Sequence, residues 1–482
     1  MKRKSLKVNA ALNVIKQLCM IVFPMITFPY ASRVLGTFHY GKINFGSSII
    51  SYIMLIAGLG VSKYAIREGA RVKDDRKRLD ELCDEVFSIN IISTIAAYAV
   101  LLFLMLFWKK LDGYKALLMI QGLTVLFTTI GTDWINSIYE DFLYLTIRYI
   151  VCQGIAVVLM LALVRNKNDY LLYALAGTSS IVLANMANIF YIRKAYNIHL
   201  HFTIHLNVRK HLKPILLLFG TAIASMIYVN SDVTILGVLK NENEVGLYSA
   251  SAKIYSLVKQ VLNALLIVAV PRISNEIATS TREKLNAHLS EILGDLLIMA
   301  GPACIGLLSL SRNIILLFSG SSFEEAASSL QILSFSLIFA TLACFYINVV
   351  LIPFRMEKGA LLATIVSATV NIVLNFILIP HYGKDAAAFT TLLSEAILTM
   401  MGIFYTRKLI HLQITRPLII GILNAAVTFF SCRFISGMKL GNLFTIILSI
   451  LASGVLCAAV LLVGYREKFN SFAGMITSKL KK

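Results

Sequence analysis

Two apolar stretches of this chain carry ionisable residues on otherwise membrane-like sequence. In residues 214–239, Thr221, Ser225, Tyr228 and Asp232 recur at i, i+4, i+7 and i+11, which is one face of a helix. In residues 246–270, Ser249, Lys253, Ser256, Gln260 and Asn263 repeat the pattern over four turns. The short turn between them, KNENEVG (Lys240 to Gly246), is acidic. Counting from it at the helical rise puts Asp232 and Lys253 at the same depth, about 9–10 Å below one membrane surface. Charges inside a bilayer are costly and face a cavity or a partner. A structural ion pair accounts for Asp232 and Lys253 but leaves Ser256, Gln260 and Asn263 without a role. The longer stripe predicts a wall facing water or a polar ligand.

Other polar residues in apolar sequence extend the set. Near the start, Asn9, Asn13 and Lys16 share a helical face; Lys16 lies about 10 Å deep, within reach of snorkelling to the surface. Asn44, Ser48 and Ser51 form a stripe of their own. Aligning Gly41 with Gly246 sets those three on Ser249, Lys253 and Ser256, an internal repeat relating residues 9–63 to 214–270. Ser367, Asn371 and Asn375 share a face further on, and Glu395 is buried near the middle of its segment. An acid so deep is protonated or partnered and is a candidate for coupling-ion chemistry, as is Asp232. The junctions GTDWINSIYEDFLYLTIR (Gly131 to Arg148) and LIPFRMEKG (Leu351 to Gly359) hold Asp133, Glu140, Arg148 and Arg355. These four are candidates for an inner gate between the two halves, or for plain interfacial anchors.

Several tempting motifs fail on chemistry. GTFHYGKI (Gly36 to Ile43) resembles a phosphate loop, but Ile43 stands where a hydroxyl must bind magnesium, and no strand precedes it. His199, His201, His205 and His211 lie in a basic loop with no carboxylate or cysteine among them, so a solvated loop is expected rather than a metal site. The seven cysteines are scattered singly, with no CxxC. No catalytic constellation, cofactor or metal is indicated, and an enzyme is not expected.

The elements that position these residues are membrane helices. Of 482 residues, 58% are hydrophobic and 15% charged, and mean hydropathy is +0.77. Fourteen apolar windows, at roughly 9–31, 41–63, 85–107, 114–137, 142–164, 170–192, 214–239, 246–270, 288–311, 326–352, 358–380, 385–407, 414–435 and 441–464, are each long enough to cross a bilayer. The expected fold is all-α and polytopic, with two six-helix lobes related by a parallel repeat and two further helices. The N-terminal lobe takes residues 1–207, the C-terminal lobe 208–410, and the last helices with a basic tail 411–482. Six helices separate the repeat copies, so both face the same way, with a site expected between them. Pro24 and Pro29 predict a kink in the first helix. The net charge of +20 concentrates in Arg67–Arg78, Arg193–Lys213 and the tail SKLKK. With both termini cytoplasmic, the inner loops hold more than twice the Lys and Arg of the outer ones. The positive charge is thus lipid anchoring, not nucleic-acid binding.

The order and spacing of FPYASRVLGTFHYGKINFG, DWINSIYEDFLYLTIR, DVTILGVLKNENEVGLYSASAKIYS with VPRIS, and NIVLNFILIPHYGKDAAAFTTLLSE resemble the Wzx-type polysaccharide flippases of the multidrug/oligosaccharidyl-lipid/polysaccharide exporter superfamily. The resemblance covers essentially the whole chain. It implies fourteen helices, a cationic central cavity and alternating access in the plasma (inner) membrane. It implies transport of polyprenyl-diphosphate-linked oligosaccharides to the outer leaflet for surface polysaccharide synthesis. Membrane lipids, a polysaccharide polymerase and a chain-length regulator are the implied partners. Lys16, Lys253, Lys259 and Arg272 are the cations available for a diphosphate, and the Ser/Asn/Gln stripes suit a sugar headgroup. Ser48, standing where the repeat partner has Lys253, makes that lining asymmetric. A cation-coupled drug antiporter and a peptidoglycan-precursor flippase of the same superfamily are the alternatives.

Overall fold

The computed structural model describes residues 6–203 and 208–465. Among them there is no strand. The principal helices are α1 (Leu6–Gly58), α2 (Val61–Val72), α3 (Arg76–Phe107), α4 (Lys115–Gly131), α5 (Asp133–Ile138), α6 (Phe142–Leu163), α7 (Tyr170–Tyr196), α8 (Val208–Leu239), α9 (Glu242–Thr279), α10 (Arg282–Ser319), α11 (Ala326–Cys344), α12 (Glu357–Thr406), α13 (Thr415–Gly437) and α14 (Asn442–Gly464). Eleven continuous helical stretches among the described residues are long and apolar enough to cross a membrane, and a bent pair, His211–Ala224 with Met226–Leu239, makes a twelfth.

Two of these twelve cross twice. α1 has 53 residues, which laid straight would measure about 80 Å against a hydrocarbon core of about 30 Å. It is broken at Gly36, where φ is 70° and ψ 178°. The rings of Phe28 and Tyr40 lie 5.8 Å apart by centroids, although twelve residues of straight helix would separate their Cα atoms by about 18 Å. α1 therefore doubles back at Gly36. α12 does the same at Gly383, with φ 54°: the Ser367 hydroxyl donates to the Ser394 carbonyl at 2.7 Å, 27 residues along. Counting the two doubled helices twice gives fourteen crossings, in agreement with the apolar windows.

The first helix turns at Gly36 and not at Pro24 or Pro29; among the described residues of α1 only Gly36 leaves helical φ/ψ. A proline forfeits one backbone hydrogen bond, which a membrane helix tolerates. A reversal needs the positive φ that glycine supplies.

The chain divides into two compact units, Met1–Gly246 and Leu247–Lys482. In unit 1, the amphipathic α2 is too short to span, and it packs with α3, α5 and α8. Its core joins Tyr64, Ala65, Leu79, Val86, Trp134, Ile135, Ile138 and Ile215. α8 also packs on α1 in this unit: a Cβ on Gly237 would lie 2.1 Å from the Phe45 ring. Between α6 and α7, the backbone N–H groups of Arg165 and Asn166 donate to Asp169. Those bonds hold its carboxyl below the usual range. In unit 2, α10 and α13 meet with almost no side chain between them, and a Cβ on Gly421 would lie 2.7 Å from the Leu297 carbonyl oxygen. A second core there joins Leu289, Leu293, Leu296, Phe345, Val349 and Val350. α11 runs on into a π-helical stretch, Phe345–Leu351.

Candidate functional site

Unit 1 contains a partly open cavity of about 470 Å³ walled by α1, α2, α3, α4, α5, α6 and α7. Lys16 enters it from the first limb of α1, and Ala57 and Gly58 line it from the end of the second. Asn90, Asp133, Trp134, Arg148, Gln153 and Asn185 are among the polar residues that line it. Sequence brings these together only through the hairpin at Gly36 and the sharp α4–α5 junction, where Thr132 takes a left-handed φ of 47°. Arg148, 9% exposed, donates through Nη2 to both oxygens of Asp133 at 2.7 Å. Its guanidinium lies 5.4 Å from the centre of the Tyr144 ring. Arg148 Nε and Nη1 and the Trp134 Nε1 are buried with no hydrogen-bond partner. Lys16 makes no hydrogen bond or ion pair among the described residues. The cavity wall thus holds two cations against a single carboxylate.

The inner-gate candidates divide accordingly. Asp133 and Arg148 bind each other inside unit 1 and line the cavity. Glu140 and Lys73 approach to 3.8 Å at the surface of the same unit, with Glu140 at a φ of 56°. Arg355, in unit 2, also adopts a left-handed φ, 58°.

In unit 2 the deep acid of α12 has a partner. Glu395, 2% exposed, accepts from Lys259 of α9 at 2.5 Å. The Tyr255 hydroxyl, one turn before Lys259, lies 3.5 Å from the same oxygen. Lys259, expected as a cation for the substrate, is therefore neutralised by an acid 136 residues away in sequence, a pairing no local pattern reveals. Asn371 and Asn375, two of the cavity candidates, are buried together with Ser367 where the two limbs of α12 meet. Asn375 donates to Asn371 at 3.1 Å and accepts from Thr390. Their polarity closes the hairpin at Gly383, where the two limbs each need donors and acceptors.

Along α9, Gln260 donates to the carbonyl and hydroxyl of Ser256, and Asn263 keeps a buried Oδ1 without a partner. Ser249 is buried. Lys253 is half-buried and has no ion pair or hydrogen bond among the described residues. Arg272 pairs with Glu276 at 3.0 Å on the exposed end of the helix. In α1, Ser48 is buried and bonds the Phe45 carbonyl, while Asn44 donates to the Tyr40 carbonyl. Asp232 is buried in α8. The side chains of Asn13, Thr221 and Ser225 lie outside the described residues.

His199 and His201 are exposed and His205 lies outside the described residues, but His211 is fully buried at the start of α8. Its ring joins the Tyr64 hydroxyl to the Glu85 carboxylate, each at 2.6 Å. Three elements of unit 1 meet on that imidazole, and it is a packing residue rather than part of a solvated loop. Among the described residues no cluster of three or more metal-ligating side chains occurs.

Known proteins share this architecture. Residues 6–277, more than half of the chain, match the family described as "Polysaccharide biosynthesis protein". A "Putative O-antigen transporter" of Escherichia coli (strain K12) is 21% identical over 417 residues, 84% of this chain and 97% of that one. A "Probable low-salt glycan biosynthesis flippase Agl15" of Haloferax volcanii is 25% identical over 193 residues, 40% of this chain and 41% of its own. Among solved structures, "Lipid II flippase MurJ, inward closed conformation" matches with a TM-score of 0.77 at 16% identity, over 95% of this chain and 99% of that one, a likeness of fold. With fourteen crossings, intramembrane cations and this match over most of its first half and beyond, the chain belongs to the polysaccharide biosynthesis protein family, the polysaccharide flippases of the multidrug/oligosaccharidyl-lipid/polysaccharide exporter superfamily, and it is a membrane transporter rather than an enzyme.

Proposed function

We infer that the protein flips polyprenyl-diphosphate-linked oligosaccharide units from the inner to the outer leaflet of the plasma membrane by alternating access. The observation that carries this reading is Lys253: a half-buried ammonium in a spanning helix, with no acidic partner among the described residues. A cation in that setting is stabilised by an anionic ligand or by water in a cavity. The adjoining Ser256, Gln260 and Asn263 suit a hydroxyl-rich headgroup, and the diphosphate supplies the anion. The membrane potential favours outward movement: about two negative charges crossing about 100 mV, interior negative, release roughly 4–5 kcal/mol. The lobes of residues 1–207 and 208–410 would move against each other, with 411–482 as a peripheral addition. A polymerase and a chain-length regulator would receive the flipped unit, and both termini would be cytoplasmic.

Complementation of a strain lacking its own flippase tests this. Lys253→Ala is expected to abolish surface polysaccharide at near-normal protein level, and Lys253→Arg to keep part of it, because the cation survives though its shape changes. Full export by Lys253→Ala would remove the diphosphate role from this residue.

A further inference from the structure

The cavity inside unit 1 is lined unlike a diphosphate site. Two cations face one carboxylate there, and Arg148 is already bound to Asp133 by both carboxylate oxygens. Lys16 alone remains as surplus charge. Around it stand amides and hydroxyls, with Gln153 making no hydrogen bond among the described residues. The Trp134 indole forms part of the wall. One net positive charge, the uncommitted Gln153 amide and an aromatic side chain around about 470 Å³ match a small polar ligand with hydroxyls and one negative charge. A doubly charged phosphate group would leave most of these groups unused.

We propose that this cavity is a sugar-reading subsite that holds one acidic sugar, a uronic acid or its like, of the oligosaccharide headgroup, with Lys16 as the residue that selects the carboxylate. The proposal rests on the flippase reading for its source of sugar. Gln153 meets ring hydroxyls, the Trp134 side chain packs against the sugar, and the Asp133–Arg148 pair holds the wall in shape. Lys16 separates acidic from neutral units by a charge-assisted hydrogen bond, worth about tenfold in affinity.

The chain's tryptophan content makes the site directly readable. It has two tryptophans, Trp108 and Trp134, and Trp108 does not line the cavity. In purified, reconstituted Trp108→Phe protein, fluorescence therefore reports from Trp134 alone. Titration with glucuronate is expected to change the emission saturably, glucose to need about tenfold higher concentration, and inorganic phosphate to have no effect at the glucuronate half-point. Lys16→Met should bring glucuronate and glucose together, and Lys16→Arg should restore the difference. An equal response to phosphate, a preference that survives Lys16→Met, or no saturable change with glucuronate would each overturn the assignment. Export is scored separately in the flippase-deficient strain. Export without a glucuronate preference removes only this subsite, whereas a preference without export removes only the flippase reading.

Discussion

At the scale of single residues, the Lys259–Glu395 pair is the clearest departure from what each residue suggested alone. Separately, one is a substrate cation and the other a coupling acid; together they form a neutral unit in the middle of unit 2. Breaking such a pair leaves a charge with little solvent, so Glu395→Gln is expected to destabilise the protein by about 3–5 kcal/mol less whatever water recovers around the partly exposed Lys259. Thermal melting in detergent measures it. The double replacement Lys259→Met with Glu395→Leu is expected to recover most of that loss, because neither charge is then stranded. If Glu395→Gln melts like the parent, the pair contributes nothing to stability, and the carboxylate is held for some other purpose. Lys253 stands apart from this pair: it lies less than two turns earlier on the same helix without an acid partner among the described residues, which is why the diphosphate role attaches to it.

At the scale of elements, two glycines near one turn are required for different reasons. Gly36 has open space around its Cβ position but a backbone of φ 70° and ψ 178°, a region almost closed to other residues. Gly36→Ala should therefore cost about 1–3 kcal/mol through backbone strain alone. Gly41 has ordinary helical geometry, yet an added Cβ would lie 1.7 Å from the Glu242 carbonyl oxygen and 2.7 Å from the Gly246 nitrogen. The repeat-equivalent glycines Gly41 and Gly246 thus meet backbone to backbone, and the Thr37 hydroxyl bonds Asn243 beside them at 2.7 Å. Backbone cannot step aside as a flexible side chain can, so Gly41→Ala should separate α1 from the start of α9. A cysteine pair at Thr37 and Asn243 reads that separation: in the parent background it should crosslink readily under oxidation, and with Gly41→Ala the yield should fall. Equal crosslinking in both backgrounds would mean the helices accommodate the methyl group without moving.

At the scale of the whole molecule, fourteen crossings and the distribution of Lys and Arg fix an expected topology. Reporters fused after Lys482 or within Arg71–Arg78 should register as cytoplasmic, and those near Gly113 and Ser321 as external. A single inverted pair would break the crossing count, because each crossing reverses the side of every later loop.

The number of crossings was legible in the sequence because the bilayer has a fixed thickness, and apolar runs long enough to span it have no other solvent to occupy. Family membership was legible as well, since FPYASRVLGTFHYGKINFG and the later segments keep their order and spacing along the chain. Within single helices, the stripes of 246–270 marked α9 as carrying more polarity than lipid would tolerate. Which charges meet was decided by tertiary structure. Lys259 and Glu395 are 136 residues apart, and Lys16 lines one cavity with the Asp133–Arg148 pair, more than a hundred residues further along the chain. His211 looked solvated amid its basic neighbours, and only the packing of α2 and α3 against α8 gives its imidazole a hydroxyl and a carboxylate. The physical reason is the range of the forces. Burial of apolar length is set by each segment and its solvent, whereas the pairing of isolated charges depends on which helices pack side by side, and adjacent sequence holds no record of that.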